Sequence, residues 1–143
     1  MTALVAPGAF GTLTDATAAA APREACGLLF GARPDAADAP WLVTHVSVIE
    51  ARRDAFTIPP PLLLSHAADP GWIGVWHSHP EGPDHLSPAD VRAAAAWPRL
   101  LHLLVTPLGV RAFAPAVRGL TPLPWRIADG GRATPRVLRS AAP

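Results

Sequence analysis

Three of the six histidines of this chain lie in one short stretch, GVWHSHPEGPDHLSPAD, which runs from Gly74 to Asp90. His77 and His79 are two positions apart, and on a β-strand the side chains of residues i and i+2 point to the same face of the sheet. Both imidazoles can therefore reach one point. Asp90 follows where the first turn of a helix is expected, so its carboxylate can complete a set of two histidines and one carboxylate. Such a set leaves a tetrahedral position for water, as in catalytic zinc sites.

Structural roles compete with chemical ones at the neighbouring positions. Ser87 is a good helix N-cap and Asp90 suits a first helical turn, which stabilise a helix by ~0.5 to 2 and ~0.3 to 1 kcal/mol respectively. Spacing alone therefore supports a structural and a catalytic role equally well for both. Asp84 and His85 are expected to lie on the rim of the site, although either could be an additional ligand. The remaining histidines are expected to be structural: His45, His66 and His102.

Composition excludes several other classes of protein. The 143 residues, half of them hydrophobic, are enough for one domain with its own core. The sequence contains no Lys, Asn, Gln or Tyr, which excludes Schiff-base lysines, phosphate-binding P-loops and papain-like Cys/His/Asn sites. The net charge is +1 and the arginines are scattered along the chain, so no nucleic-acid partner is expected.

Cysteine and hydrophobic patterns indicate the compartment. Cys26 is the only cysteine, which leaves no internal disulfide, and it is expected to be a small buried residue. No signal peptide and no apolar run of ~20 residues is visible, so the sequence predicts no membrane association and a cytoplasmic location. Trp72 and Trp76 are expected in the core or in a pocket wall.

The elements that must position these residues are short, because 18 prolines and 11 glycines interrupt the chain. A first helix is predicted within residues 13–25, with Thr14 or Asp15 as its cap and Pro22 at its end. A short second helix is predicted within 56–72 and a third at 87–98. Strands are predicted at 24–32, 41–51 and 72–80, with a hairpin over 100–117 and an edge strand at 123–129.

This order of elements predicts a mixed α and β domain built on one sheet system. The domain is expected to span residues 1–130. An irregular C-terminal tail is expected over residues 131–143. No pattern in the sequence indicates an oligomeric state.

Other enzymes that use an H-x-H pair fit less well. A metal-dependent barrel hydrolase needs ~250 residues. The H-x-H-x-D-H pattern of metallo-β-lactamase-like enzymes fails, because Pro80, Glu81 and Gly82 follow His79. The ligand types also suit an iron oxygenase, although its usual order is H-x-D/E followed by a distant histidine.

The residues HSHP, EGPDHL and SPAD follow one another without a gap, and in this the chain resembles the JAMM (MPN-plus) zinc metallopeptidases. That family has an upstream glutamate, then H-[ST]-H-P, six residues, and S-x-x-D. Glu24, in REACGLLFG, matches the upstream glutamate, and the resemblance covers roughly residues 13–117. It implies a curved mixed sheet or partial barrel flanked by helices, of the cytidine-deaminase-like type.

The resemblance also implies a role for each motif residue. One zinc ion per chain would be held by His77, His79 and Asp90, with a zinc-bound water as the nucleophile. Glu24 would act first as a general base and then as a general acid. Ser87 would donate a hydrogen bond to the developing oxyanion, which conflicts in part with a capping role for the same hydroxyl.

For function, the resemblance implies a peptidase or isopeptidase. Small bacterial members of the family are associated with ubiquitin-fold sulfur-carrier proteins, so the expected reaction is hydrolysis of the amide bond after the C-terminal glycine of such a partner. The alternative is a non-catalytic scaffold of the same fold. A DNA-associated relative of the RadC type is disfavoured by the dispersed charge, and metal identity would distinguish an iron oxygenase.

Overall fold

The computed structural model describes residues 1–52, 60–129 and 132–136. In chain order its elements are β1 (Ala3–Val5), α1 (Pro7–Ala20), β2 (Glu24–Ala32), β3 (Trp41–Val46), β4 (Ile49–Arg52), α2 (Pro60–His66), β5 (Trp72–Ser78), α3 (Pro88–Ala95), β6 (Leu101–Thr106), β7 (Gly109–Pro115), β8 (Leu120–Leu123), β9 (Trp125–Asp129) and β10 (Arg132–Arg136).

All the described strands belong to one mixed sheet. Their order is β10-β9-β1-β3-β2-β5-β6-β7-β8, and β4 pairs with β2 beside this path. Strand β5 lies between β2, which is antiparallel to it, and β6, which is parallel to it. A parallel pair needs a crossover connection, and α3 lies in the crossover from β5 to β6. The predicted mixed α and β architecture is confirmed.

The sheet curls strongly around its main core. Trp125 on β9 donates its indole N–H to the carbonyl of Val110 on β7 at 2.8 Å, although five strands separate β9 from β7 in the sheet. Phe10 of α1 stacks on the Trp125 ring with centroids 5.9 Å apart. Helix α1 contributes Ala9 and Leu13 to this core. Burial of this curved face supplies most of the hydrophobic stabilisation of the fold.

A smaller hydrophobic cluster covers the opposite face of the central strands. Cys26 and Leu28 of β2 pack there with Val75 of β5 and with Leu62 and Leu63 of α2. Cys26 is buried, as predicted from its apolar surroundings. The candidate metal ligands lie on this same face, at the end of the strands where β5 finishes.

The predicted strand over 41–51 is divided into β3 and β4 by a close approach at Ser47. A Cβ atom on Gly27 would lie 1.8 Å from the Ser47 carbonyl oxygen, so only glycine fits at that position. The same oxygen accepts a hydrogen bond of 2.9 Å from the Trp76 indole, which places Trp76 in the core as expected. The sequence could not show this division, because it depends on the Trp76 indole, which belongs to a strand distant in sequence.

Helix α1 begins earlier than predicted. Its first residue is Pro7, which suits the first helical position, and Ala6 is the N-cap. Thr14 lies inside the helix, where its hydroxyl donates to the Gly11 carbonyl at 3.0 Å, so the predicted cap at Thr14 or Asp15 is wrong. Burial of Ala9 and Leu13 outweighs the low helix propensity of the glycines in this first part of α1.

The C-terminal part of the described chain is more regular than predicted. Strand β9 pairs with both β1 and β10, so its assignment as an edge strand is wrong. Residues Arg132–Arg136 form β10, which corrects the expectation of an irregular tail for these residues. Antiparallel pairing with β9 supplies the hydrogen bonds that local sequence did not indicate. Residues 137–143 lie outside the described part of the chain.

The other predicted elements agree with the structure within a few residues. These are β2, β5, the β6–β7 hairpin, α2 and α3. Residues 56–59 of the segment predicted to contain α2 lie outside the described residues. None of the described helices is long and apolar enough to cross a membrane.

Candidate metal centre

Strand β5 and the residue that follows it present two imidazoles. His77 and His79 are buried, with exposed fractions of 1% and 6%. Their Nε2 atoms are 3.3 Å apart, which confirms that residues i and i+2 of this strand share one face. The His79 backbone N–H donates to the Val105 carbonyl at 2.8 Å, so pairing with β6 holds the chain extended just past the end of β5.

Helix α3 brings a carboxylate to the same point. The Oδ2 atom of Asp90 lies 3.4 Å from Nε2 of His77 and 3.5 Å from Nε2 of His79. One potential ligand atom from each of the three residues lies within 4.8 Å of the other two. Two imidazole nitrogens and one carboxylate oxygen form a donor set that zinc accepts, with one tetrahedral position left open. These residues could therefore hold a metal ion.

The orientation of the His79 ring is determined by the turn that follows. Nδ1 of His79 lies 2.8 Å from the carbonyl oxygen of Pro83. Since a carbonyl oxygen can only accept, Nδ1 must carry the proton, and a neutral ring then has its lone pair on Nε2. That lone pair faces His77 and Asp90. A backbone carbonyl behind a ligating histidine is a common way to fix both tautomer and ring orientation.

Electrostatics favour an ionised Asp90. Burial works to raise the pKa of this carboxyl, but hydrogen bonds with His77 and His79, the electrostatic interaction with His77 and the backbone N–H of Ser87 hold it well below its usual value. A protonated His79 ring donates Nε2–H to Asp90, and this hydrogen bond raises the pKa of His79 against the effect of burial. A carboxylate and a neutral imidazole are the ligand forms that bind metals, so protons compete with a metal for His79.

Ser87 and Asp90 form a capping box at the start of α3. The backbone N–H of Asp90 donates to Ser87 Oγ at 3.1 Å, and the backbone N–H of Ser87 donates to Asp90 Oδ2 at 2.8 Å. The Ser87 hydroxyl is thus an acceptor in the cap, and its own O–H remains a donor for another group. Capping and donation are therefore compatible, which removes the conflict expected from the sequence.

Glu24 lies at the first position of β2, beside the same cluster. The pairing of Cys26 with His77 places Glu24 on the face that carries His77 and His79. After the larger effect of the Asp90 hydrogen bond, the Glu24 charge also contributes to the raised pKa of His79. Next to Glu24, the backbone N–H of Ala25 donates to Ser78 Oγ at 2.8 Å and ties β2 to β5.

Asp84 and His85 lie outside the cluster of potential ligands. Asp84 is 3.9 Å from the Arg111 guanidinium and 3.9 Å from the His85 ring. The Arg111 side chain also donates to the Asp84 carbonyl at 3.1 Å. These contacts hold the loop between β5 and α3 against β7, on the rim where the sequence placed both residues.

His102 is closer to the site than the sequence suggested. It lies on β6 opposite Val75, on the face of the sheet that carries His77, and it is buried. Burial, followed by the electrostatic interaction with His77, lowers the pKa of His102 to about 4, so its ring is neutral near pH 7. The sequence could not show this, because alternation within LLHLLV indicates which face of the strand His102 takes but not which strand lies beside it. The parallel pairing of β5 with β6 places His102 next to the site. His45 and His66 instead pack against Phe30, with ring centroids 4.8 and 5.5 Å away.

Comparison with known families agrees with the motif. Residues 8–116 match the family model described as prokaryotic homologs of the JAB domain. The chain therefore belongs to the prokaryotic JAB-domain family, within the JAMM/MPN proteins that the sequence resembles. A search of the curated proteins finds no match.

Solved structures share the fold. A protein from Desulfitobacterium hafniense, solved in solution, is 24% identical with a TM-score of 0.70, covering 91% of this chain and 94% of its own. A solution structure from Salinibacter ruber is 22% identical with a TM-score of 0.60, covering 95% and 98% respectively. A JAB1/MPN domain protein from Archaeoglobus fulgidus is 16% identical with a TM-score of 0.56, covering 85% and 97%. At these identities the likeness concerns the fold.

The capping box generates a prediction about stability. Ser87→Ala should lower the free energy of unfolding by about 1 kcal/mol, and Ser87→Gly by only a few tenths, because glycine is tolerated at an N-cap. Urea denaturation in the presence of a chelator measures this without a contribution from bound metal. Ser65→Ala, which removes an exposed hydroxyl on α2, is the matched control and should change stability little. Equal stability of Ser87→Ala and the wild-type chain would contradict the cap.

Proposed function

We propose that the chain is a zinc-dependent peptidase or isopeptidase that hydrolyses the amide bond after the C-terminal glycine of a ubiquitin-fold, sulfur-carrier-like protein. The observation that carries the proposal is the convergence of His77, His79 and Asp90 within 4.8 Å beside Glu24. Family membership supports it, because JAB-domain proteins include metallohydrolases. We place the reaction in the cytoplasm.

In this proposal each ligand has a separate structural support. His77 is held because β5 is paired on both sides, with β2 and with β6. His79 is held by the Pro83 carbonyl, and Asp90 by the backbone at the N-terminus of α3. A zinc ion bound by these three residues would supply a Lewis acid and lower the pKa of a bound water to ~7. The ligands are rigid because two belong to a buried strand and its extension and the third is part of a capping box.

Glu24 is proposed as the group that moves the proton. Its carboxylate would accept a proton from the attacking water and return it to the leaving amine, so that no free amide anion has to leave. Its place at the start of β2 supports this role, since it lies beside His79 but outside the ligand cluster. It is partly exposed, which leaves the carboxylate accessible to a substrate.

Ser87 is proposed as a donor to the oxyanion that develops on the scissile carbonyl. The hydroxyl oxygen accepts from the Asp90 N–H in the cap, which leaves its hydrogen available. A preorganised donor of this kind is worth ~2.7 to 4 kcal/mol in other hydrolases. The helix cap holds the hydroxyl in place before the substrate arrives.

The substrate tail is proposed to bind in an extended conformation. Among the described strands β4 pairs with β2 alone, so its other edge can accept main-chain hydrogen bonds from an added strand. Strand β4 runs beside Glu24, because Arg52 is the register partner of Glu24. A tail added there would lead toward the metal centre. The glycine-ended, ubiquitin-fold partner itself is proposed from the family resemblance.

Metal content is the first test. The purified protein should contain about one zinc ion per chain, and His77→Ala should lose it because a site needs at least three protein ligands of this type. Elemental analysis measures the metal. His45→Ala, which changes an exposed histidine outside the cluster, should retain zinc. Absence of zinc after reconstitution would favour the non-catalytic scaffold, and iron with oxygen-dependent turnover would favour an oxygenase.

Glu24→Gln tests the proton carrier. This variant should keep its zinc and lose turnover by a factor of ~10² to 10⁴, the usual contribution of a general acid or base. The assay follows cleavage of a short peptide fused to the C-terminal glycine of a ubiquitin-fold sulfur carrier. Glu81→Gln is the control, because Glu81 is exposed in the loop after His79. Normal hydrolysis by Glu24→Gln would assign the proton transfer to another group.

Ser87→Gly separates the donor from the cap. Because glycine is tolerated at an N-cap, the variant should stay folded and keep its zinc while turnover falls by a factor of ~10² to 10³. The same fusion-cleavage assay and elemental analysis provide both readouts. Full activity in Ser87→Gly would restrict Ser87 to its structural role.

A further inference from the structure

A second concave site lies at the opposite end of the central strands from the metal centre. It is a cavity of about 740 Å³, formed where β2 ends and where β5 and β6 begin. Glu24 is the first residue of β2 and Gly31 is the last but one, and at ~3.3 Å per residue this places the cavity about 20 Å from the metal centre. None of the residues assigned to metal binding or hydrolysis lines it.

Arg33 is fixed in the wall of this cavity. One terminal nitrogen of its guanidinium donates to the Trp72 carbonyl at 3.0 Å, and the other donates to the Arg99 carbonyl. These two bonds connect the end of β2 with the segments that enter β5 and β6. A guanidinium has five N–H donors, so the remaining ones are available in a fixed orientation.

Arg99 places a second positive charge beside the first. Arg99 lines the same cavity, and burial, followed by the charge of Arg99, lowers the pKa of Arg33. In the described part of the chain no carboxylate forms an ion pair with either arginine. Asp69, the acid in the wall, accepts from the backbone N–H of Gly71 at 2.8 Å within its own turn. The cavity therefore has an excess of positive charge that an anion would neutralise.

The rest of the cavity wall is apolar, and the cavity is larger than an inorganic ion would fill. Trp97 packs edge to face on Trp72 with ring centroids 5.4 Å apart, and small or apolar residues continue the surface. A second cavity of about 360 Å³ lies on the other side of the arginine pair, with Trp41 in its wall. The Arg33 guanidinium lies over the Trp41 ring, 5.9 Å from its centroid. An apolar body beside an anionic group would fit this arrangement.

We propose that the cavity at Arg33 and Arg99 binds a small organic phosphate, with its phosphate group between the two guanidinium groups and its apolar part against Trp97. Two guanidinium groups match a phosphate better than a carboxylate, because a phosphate offers three terminal oxygens and up to two negative charges. This site is independent of the proposed peptidase activity, since it shares no residue with the metal centre.

Phenyl phosphate is the probe, and the N–H signals of the tryptophan indoles in ¹H–¹⁵N spectra are the readout. Saturable binding should shift the Trp97 indole signal and leave that of Trp125, which lies in the main core, unchanged. Inorganic phosphate should bind more weakly because it lacks an apolar part. Benzoate should also bind more weakly, and equal affinity for benzoate would overturn the assignment of a phosphate.

Arg99→Ala tests the arginine pair. Arg99 is exposed, so the variant should fold, and loss of a charge-assisted contact should weaken phenyl phosphate binding by a factor of ~10 to 100. Arg92→Ala removes an exposed arginine on α3 outside the cavity and should bind as the wild-type chain does. Binding that persists unchanged in Arg99→Ala, or that disappears when metal is removed with a chelator, would overturn the proposal.

Discussion

The pairing of β5 with β2 and β6 is the constraint on which the rest of the molecule depends. It buries His77 and His79 in the sheet and sets the register that places Glu24 on their face. Two buried imidazoles without polar partners would destabilise the fold, because the free-energy penalty of desolvating a polar group is offset only when the group is hydrogen-bonded. The Pro83 carbonyl accepts from Nδ1 of His79, and the Asp90 carboxylate accepts from an imidazole that carries a proton on Nε2. The polar cluster is therefore part of the stable structure as well as a candidate metal site.

Asp90 links this cluster to the helix that follows. Its Oδ2 atom accepts from the Ser87 backbone and lies within 3.5 Å of both imidazoles, so the cap and the candidate ligand set share one oxygen. The hydroxyl of Ser87 accepts in the cap and can donate elsewhere. A helix start is well suited to this double use, because its free backbone N–H groups orient a carboxylate without additional side chains.

The central strands carry different chemistry at their two ends. At one end of β2 and β5 lie the histidines, Asp90 and Glu24, and at the other end lie two arginines around a cavity with a tryptophan wall. Between them on the same face, Cys26, Leu28 and Val75 form a buried apolar layer, and His102 is buried beside Val75. This apolar layer excludes water between the two sites, so each can have its own electrostatic environment.

By itself the sequence determined the features that depend on local spacing. The H-x-H pair, the S-P-A-D helix start and the strands around them follow from side-chain alternation, capping preference and β-propensity over a few residues, and the structure agrees with each. The motif was also sufficient to identify the family, because its residues and intervals are rare in combination.

Only the tertiary structure decided the features that depend on residues distant in sequence. The curl of the sheet rests on contacts such as Trp125 with Val110, the division of β3 from β4 rests on Gly27 and Trp76, and β9 is an inner strand because β1 and β10 lie beside it. The place of His102 beside the site and the meeting of Arg33 with Arg99 likewise required the strand order. Periodicity within one segment indicates which face a side chain takes, whereas its neighbours on that face are set by long-range pairing and burial.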